Sequence, residues 1–234
     1  MKVGIIQSSY IPWRGYFDFI NSVDLFIVYD DIPFGSKGSW RHRNQVKTKS
    51  GLKWVSVPVK SKRELPIDRV LICEDISWQM NHRGLLKDSL QSSPFFEDTI
   101  CLWEECITGR EATISQLNIK LIKTICAYLK ITTPIVMSRD YQVEGSKTER
   151  LIQLLKKVGA TTYLSGPTAK GYIDEKLFRE HKIRLEYKTY DYDPYPQLFG
   201  NFIETVTVLD TIANTGKDAI EFLTSKTPSI IAVE

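Results

Sequence analysis

MKVGIIQSSYIPWRGYFDFINSVDLFIVYDDIPFGSKGSWRHRNQ, residues 1–45, carries the reading of the fold. An apolar run, Val3 to Ile6, ends in polar Gln7, Ser8 and Ser9, and an aromatic turn follows from Tyr10 to Tyr16. A short amphipathic segment, Phe17 to Ser22, leads into a second apolar run, Leu25 to Tyr29, which stops at Asp30-Asp31. Short apolar runs on either side of a helical pattern predict a β-α-β start with parallel strands. Ligands of open parallel sheets bind at the carboxyl ends of the strands. Gln7, Tyr10, Asp30, Asp31, Arg41, His42, Arg43 and Asn44 are therefore expected to converge on one edge.

Working outward, 234 residues suit one sizeable domain. A single α/β domain is expected over 1–224, with a largely helical insertion or lid at about 60–130 and a loosely held tail at 225–234. A net charge of +3 argues against a nucleic-acid partner yet permits a local basic pocket. No apolar run approaches the ~20 residues of a membrane span, and the start goes straight into a strand without a signal-peptide pattern. A cytoplasmic protein is expected. Cys73, Cys101, Cys106 and Cys126 lie in or beside apolar runs without C-x-x-C spacing, as structural buried thiols would. The scattered His42, His82 and His181 give no support for a metal site.

Along the rest of the chain, Leu52–Val59 and Ile67–Glu74 read as strands, the second antiparallel to the first, and helices are expected at about Trp78–Leu90, Phe95–Glu105 and Thr113–Leu129. In the last of these Ile114, Leu117, Leu121, Ile125 and Leu129 line one face as core. Ile135–Ser138 is a short strand, and Thr148–Val158 a helix stopped by Gly159. Thr161–Leu164 is a strand running into Ser165-Gly166-Pro167, followed by a helix at about Glu175–His181 and a last strand at Ile183–Tyr190. A Pro- and Tyr-rich loop, Asp191–Phe199, and a helix at Thr205–Asn214 complete the count. The alternation at both ends predicts an α/β fold with a mainly parallel, Rossmann-like nucleotide-binding sheet and a helical insertion.

No nucleophile elbow, P-loop lysine motif or complete G-x-G-x-x-G is present, and Gly35-Ser36-Lys37-Gly38 is too short to bind phosphate alone. The polar cluster suits a polyanionic ligand instead. Arg41 and Arg43 can fork onto phosphate, and Trp13, Tyr10 or Trp40 can stack on a base or sugar face. Asp30 or Asp31 can accept from hydroxyls, hold Mg²⁺ or act as general base, and His82 is a further acid/base candidate. Ser138-Arg139, Ser165, Gly166, Tyr172, Asp174, Tyr195 and Gln197 supply candidates at later strand ends and the far wall. Each has a plain alternative as loop chemistry, a cap or a rigid surface segment.

The motif series Gln7-x-x-Tyr10-x-Pro12-x-x-Gly15-Tyr16-Phe17, Tyr29-Asp30-Asp31, Trp40-x-x-Arg43-Asn44 and Trp54-x-x-Val57-Pro58-Val59 resembles the WbqC-like proteins. The resemblance resumes in Tyr163-x-Ser165-Gly166-Pro167, Tyr172-Ile173-Asp174 and Tyr195-Pro196-Gln197. It departs from the pattern at Ser8-Ser9, where a proline or second aromatic is expected. The resemblance implies a place in O-antigen or related surface-polysaccharide biosynthesis, hence lipopolysaccharide, more firmly than it implies a reaction. A fold-level analogy to ligases of the pantothenate-synthetase type suggests amide formation on an amino sugar.

Together these lead to three expectations. The first is a transferase that N-acylates or aminoacylates a nucleotide-linked amino sugar, with an acyl or aminoacyl donor. The second is an ATP- and Mg²⁺-dependent ligase or nucleotidylyl transferase using the same pocket. The third is a non-catalytic sugar-nucleotide binding subunit working with other enzymes of the glycan pathway.

Overall fold

Strands buried on both faces read as continuous apolar runs, and the first two strands of this chain do so because helices cover each side. The structure, a computed structural model, describes residues 1–234 apart from 36–38, 61, 62 and 110, so Ser36-Lys37-Gly38 of the glycine loop lies outside the described residues. In chain order the elements are β1 (Lys2–Ile6), α1 (Arg14–Asn21), β2 (Leu25–Val28), β3 (Arg43–Thr48), β4 (Gly51–Ser56), β5 (Val59–Lys60) and β6 (Leu71–Ile72). Then come α2 (Ser77–Leu90), α3 (Phe96–Ile107), α4 (Ile114–Tyr128), β7 (Ile135–Met137), α5 (Lys147–Lys157) and β8 (Thr162–Ser165). The chain closes with α6 (Glu175–Glu180), β9 (Arg184–Tyr187), α7 (Val208–Thr215) and β10 (Ile230–Val233).

The central sheet has the order β10-β9-β8-β1-β2-β7. Five of its strands run parallel, and β10 is antiparallel to β9. The fold is thus α/β with a mostly parallel, mixed central sheet. Strand alternation sends successive side chains to opposite faces. Phe26, Val28 and Leu164 join Phe17, Phe19 and Ile20 of α1 in one core, which extends into α2, α3, α4 and α7. Val3, Ile5, Ile27, Tyr163 and Leu185 join Leu151, Leu154 and Leu155 of α5 and Phe178 of α6 in the other. No helix among the described residues is long and apolar enough to cross a membrane.

Several local expectations differ from what forms. Residues 43–48, to which the sequence assigns no strand, make β3, paired antiparallel with β4 in a hairpin outside the main sheet. Asn44 and Val46 face inward while Gln45 stays partly open, an alternation disguised by charged Arg43 and Lys47. Ile67–Glu74 is not one strand. Ile67 and Val70, three apart and both fully buried, wind into a 3-10 turn, leaving two-residue β6 to pair antiparallel with β5. Residues 230–233 are no loose tail, because the β-branched run Ile230-Ile231 supplies β9 with its outer neighbour. Cys106 and Cys126 are buried as expected, whereas Cys101 is exposed. α4 begins where sequence placed it, since Thr113 and Gln116 form a reciprocal capping box.

Helix α1 approaches the sheet closely only because residue 4 lacks a side chain. A Cβ there would stand 2.4 Å from Phe19 Cε1, inside the buried core. Gly4→Ala is expected to cost about 1–3 kcal/mol through overpacking, read as a lower urea midpoint with an unchanged m-value.

Candidate functional site

Chain order along the sheet reverses beside β1: the chain steps to β2 and β7 on one side, then crosses over to β8 and β9 on the other. Crevices open where adjacent connections leave a parallel sheet in opposite directions. A cavity of about 750 Å³ lies there, lined among others by Gln7 after β1, Tyr29 after β2, Ser165 and Gly166 at the end of β8, and Tyr172. Lys147 and Thr148, the first residues of α5, complete it. The start of an α-helix presents free amide N–H groups and the positive end of its dipole, and Lys147 adds a full charge beside them. Gly166 has ordinary extended backbone angles, yet a Cβ built on it meets nothing within 4 Å. Its backbone therefore borders open space. Tyr172, 71% exposed, stands at the rim.

One wall is stiffened by a charge cluster. Asp31 accepts from Ser138 Oγ at 2.5 Å and from Arg150 Nη2 at 2.5 Å. The same guanidinium reaches the Tyr29 hydroxyl at 3.3 Å, and burial raises the pKa of that phenol. Arg139, next to Ser138, pairs with Asp68 along a groove between α4 and β7.

Other sequence candidates turn inward. Asp30 is fully buried, accepting from Ser8 N–H at 2.8 Å and Ser115 Oγ at 2.5 Å, with desolvation pushing its carboxyl above the usual range. Tyr10 is also fully buried, and its hydroxyl meets His82 Nδ1 at 3.0 Å and Trp103 Nε1–H at 2.9 Å. His82 packs among Tyr10, Trp78 and Trp103. Neither Asp30 nor His82 lines the crevice, which argues against the proton-transfer roles expected of them. Asn44 donates to the carbonyls of Tyr10 at 3.2 Å and Ile11 at 2.8 Å and accepts from Gln45 N–H at 2.7 Å. Those bonds secure Ile11 in the left-handed region, φ 36°, which a β-branched residue rarely occupies.

Arg41 and Arg43 do not fork into the crevice. Arg41 donates to the Phe34 carbonyl, and Arg43 lies 4.0 Å over the Trp54 ring. Asp174 caps α6 by accepting from Lys176 N–H, and buried Tyr195 donates to Asp210 at 2.7 Å. Trp13 and Trp40 line a second, smaller cavity of about 290 Å³ with Ser9, Pro12, Tyr16, Asn44 and Thr205. The sequence-predicted set thus divides: Gln7, Ser165, Gly166 and Tyr172 meet at the crevice, Trp13, Trp40 and Asn44 at the second cavity. Tyr29, quoted only as a strand end and part of a motif, and Lys147, Thr148 and Arg150 were not among the site residues expected from sequence, where they read as an ordinary strand end and helix start.

A model of the WbqC-like protein family matches residues 7–222. The chain belongs to that family. It is also 41% identical over 226 residues to the uncharacterized protein Rv1507c of Mycobacterium tuberculosis (strain ATCC 25618 / H37Rv), covering 95% of this chain and 97% of the relative. No solved structure matches.

Desolvation lowers the pKa of His82 from 6.5 to about 4. In acid the unfolded chain binds this proton first, so the contribution is fully present above pH 6.5 and is lost as pH falls towards 4. Burial pushes Asp30 and Asp210 upward instead, which acts in the opposite sense. Urea titrations from pH 7 to pH 4 are expected to show His82→Gln losing less stability than wild type, by on the order of 3 kcal/mol across that window. Parallel curves would show that His82 is not desolvated.

Proposed function

We propose that the crevice binds a nucleotide-linked sugar and that the protein is a transferase acting on it, N-acylating or aminoacylating an amino sugar for a surface polysaccharide. The observation that carries this reading is the junction of a helix start, Lys147 and the open backbone of Gly166 in one cavity where the strand order reverses. The parallel strand order is the one expected of a Rossmann-like nucleotide-binding sheet, which supports the same conclusion. In this reading the diphosphate lies against the start of α5 and Lys147. Gln7, Ser165 and Tyr172 offer hydrogen bonds to sugar hydroxyls.

The amine would attack the donor's acyl carbon, the donor's leaving group would depart, and the amine would surrender one proton. The described lining of the crevice holds no carboxylate or histidine, so the amine would give its proton to the donor's departing group. Asp31, tied to Tyr29 of the wall through Arg150, orients that wall, while Asp30 and His82 are sealed in the core. Positioning two reactants in one crevice supplies most of the rate. A non-catalytic binding subunit is the second reading, favoured by one observation: both oxygens of Asp31 are already engaged, by Ser138 and Arg150.

Binding and turnover separate these readings from each other and from error. A thermal-shift and calorimetry panel of UDP-, dTDP- and GDP-linked sugars, with and without a free amine, is expected to select an amino-sugar nucleotide. Gly166→Val should leave the melting temperature within a few degrees while weakening that ligand at least tenfold, since its side chain enters empty space. Lys147→Ala should weaken it too, with a reduced salt dependence. If both variants bind as wild type does, the crevice is not the site. Binding without transfer from any acyl or aminoacyl donor selects the second reading.

A further inference from the structure

The smaller cavity, about 290 Å³, is a slot with one fixed and one open aromatic wall. Trp13 is the fixed wall. Its indole meets Tyr190 and Tyr192 edge-on, with centroids at 5.0 Å and 6.1 Å, and rests so closely on Gly15 that a Cβ there would lie 2.4 Å from the ring. Trp40 is the open wall, 48% exposed, tilted against Trp54 at 5.4 Å and tied by its carbonyl to Tyr10 N–H. Trp40 stays this exposed despite its contact with Trp54, and it shares the lining of the slot with Trp13.

The polar groups of the slot narrow what it can hold. Asn44 uses both Nδ2 and Oδ1 on backbone neighbours, and the Tyr16 hydroxyl donates to the Gln7 carbonyl at 3.0 Å. Ser9, partly buried, and Thr205, exposed, are left, and neither hydroxyl hydrogen-bonds another described residue. A sugar would bring hydroxyls around its whole circumference and find too few partners. A hydrocarbon chain would leave the partly buried Ser9 hydroxyl unmatched. A flat heteroaromatic ring has an apolar face to lay against an indole of the lining and a polar edge for Ser9 and Thr205.

We infer that this slot is a nucleobase-binding subsite. The choice of a base among flat heteroaromatic rings rests on the nucleotide reading of the neighbouring crevice. The two cavities lie on either side of the end of β1: Gln7 lines one, and Tyr16, bonded to the Gln7 carbonyl, lines the other.

Calorimetric titration of the full chain with uridine, thymidine, adenosine and guanosine tests the slot without phosphate or sugar nucleotide. At least one nucleoside is expected to bind saturably, and Trp40→Ala to weaken it about tenfold, the ordinary loss for one stacked base. Trp40 is chosen because its exposure makes its removal tolerable to the fold, which a thermal melt of the variant verifies. The same nucleoside is expected to bind Gly166→Val as it binds wild type. Saturable binding lost in Trp40→Ala but kept in Gly166→Val supports the slot even if the crevice reading fails. Sugar-nucleotide binding lost in Gly166→Val but unchanged in Trp40→Ala overturns the slot and leaves the crevice standing. No saturable binding by any nucleoside, or equal affinity in Trp40→Ala, overturns it as well.

Discussion

The carboxylate of Asp30 sits fully buried at the end of β2, with one oxygen on the Ser8 amide and the other on the Ser115 hydroxyl. Ser8 in turn accepts from Asn118 Nδ2 at 3.0 Å, and that amide also reaches the Arg41 carbonyl at 2.8 Å. A buried carboxylate is tolerated only where hydrogen bonds replace its water. This one joins the ends of two central strands to the first turn of α4 and, through Asn118, to the segment before the β3–β4 hairpin. The main chain at Gln7 and Ser9, which walls the two cavities, is placed by that network. The apparent acid-base candidate is in effect the joint of the site.

A second buried charge plays a similar part on the opposite flank. Arg14 is 1% exposed and donates to the carbonyls of Asp193 at 2.8 Å and Phe222 at 3.0 Å. Its guanidinium lies 4.6 Å from the Tyr192 ring and 5.4 Å from that of Tyr195. Cation-aromatic contact of this kind gains strength away from water. Because Arg14 directly follows Trp13, the same contacts that fold the Tyr-rich loop down also fix the inner wall of the aromatic slot.

What could be read from sequence was what depends on neighbours in the chain. β1, α1 and β2 were legible because apolar spacing over a few residues decides them, and Gln7, Ser165 and Gly166 followed from the rule about strand ends. Residues 43–48 escaped because buried Lys47 looks like a surface charge until its partners, the Gln197 side chain and the Asn201 carbonyl, arrive about 150 residues later. Asp30, Tyr10 and His82 were read as facing a ligand because polarity alone does not distinguish a ligand from Ser115 or Trp103, 85 and 93 residues away from Asp30 and Tyr10. Lys147 and Arg150 passed unnoticed for the converse reason: a charged first turn is common on any solvent-facing helix, and only the crossover brings this one to β1.

The place of β1 between β2 and β8 also sets a timetable for synthesis. One edge of β1 is paired by residues 25–28, available almost at once, whereas the other waits for Thr162–Leu164. The N-terminal amino group itself donates to Thr161 Oγ1 across a separation of 160 residues. Until Thr162–Leu164 has been synthesised, β1 exposes an unpaired strand edge, and its Val3 and Ile5 lack the later residues of α5 and α6 that share their core. A fragment ending before β8 would present that edge, and the apolar face beside it, to solvent.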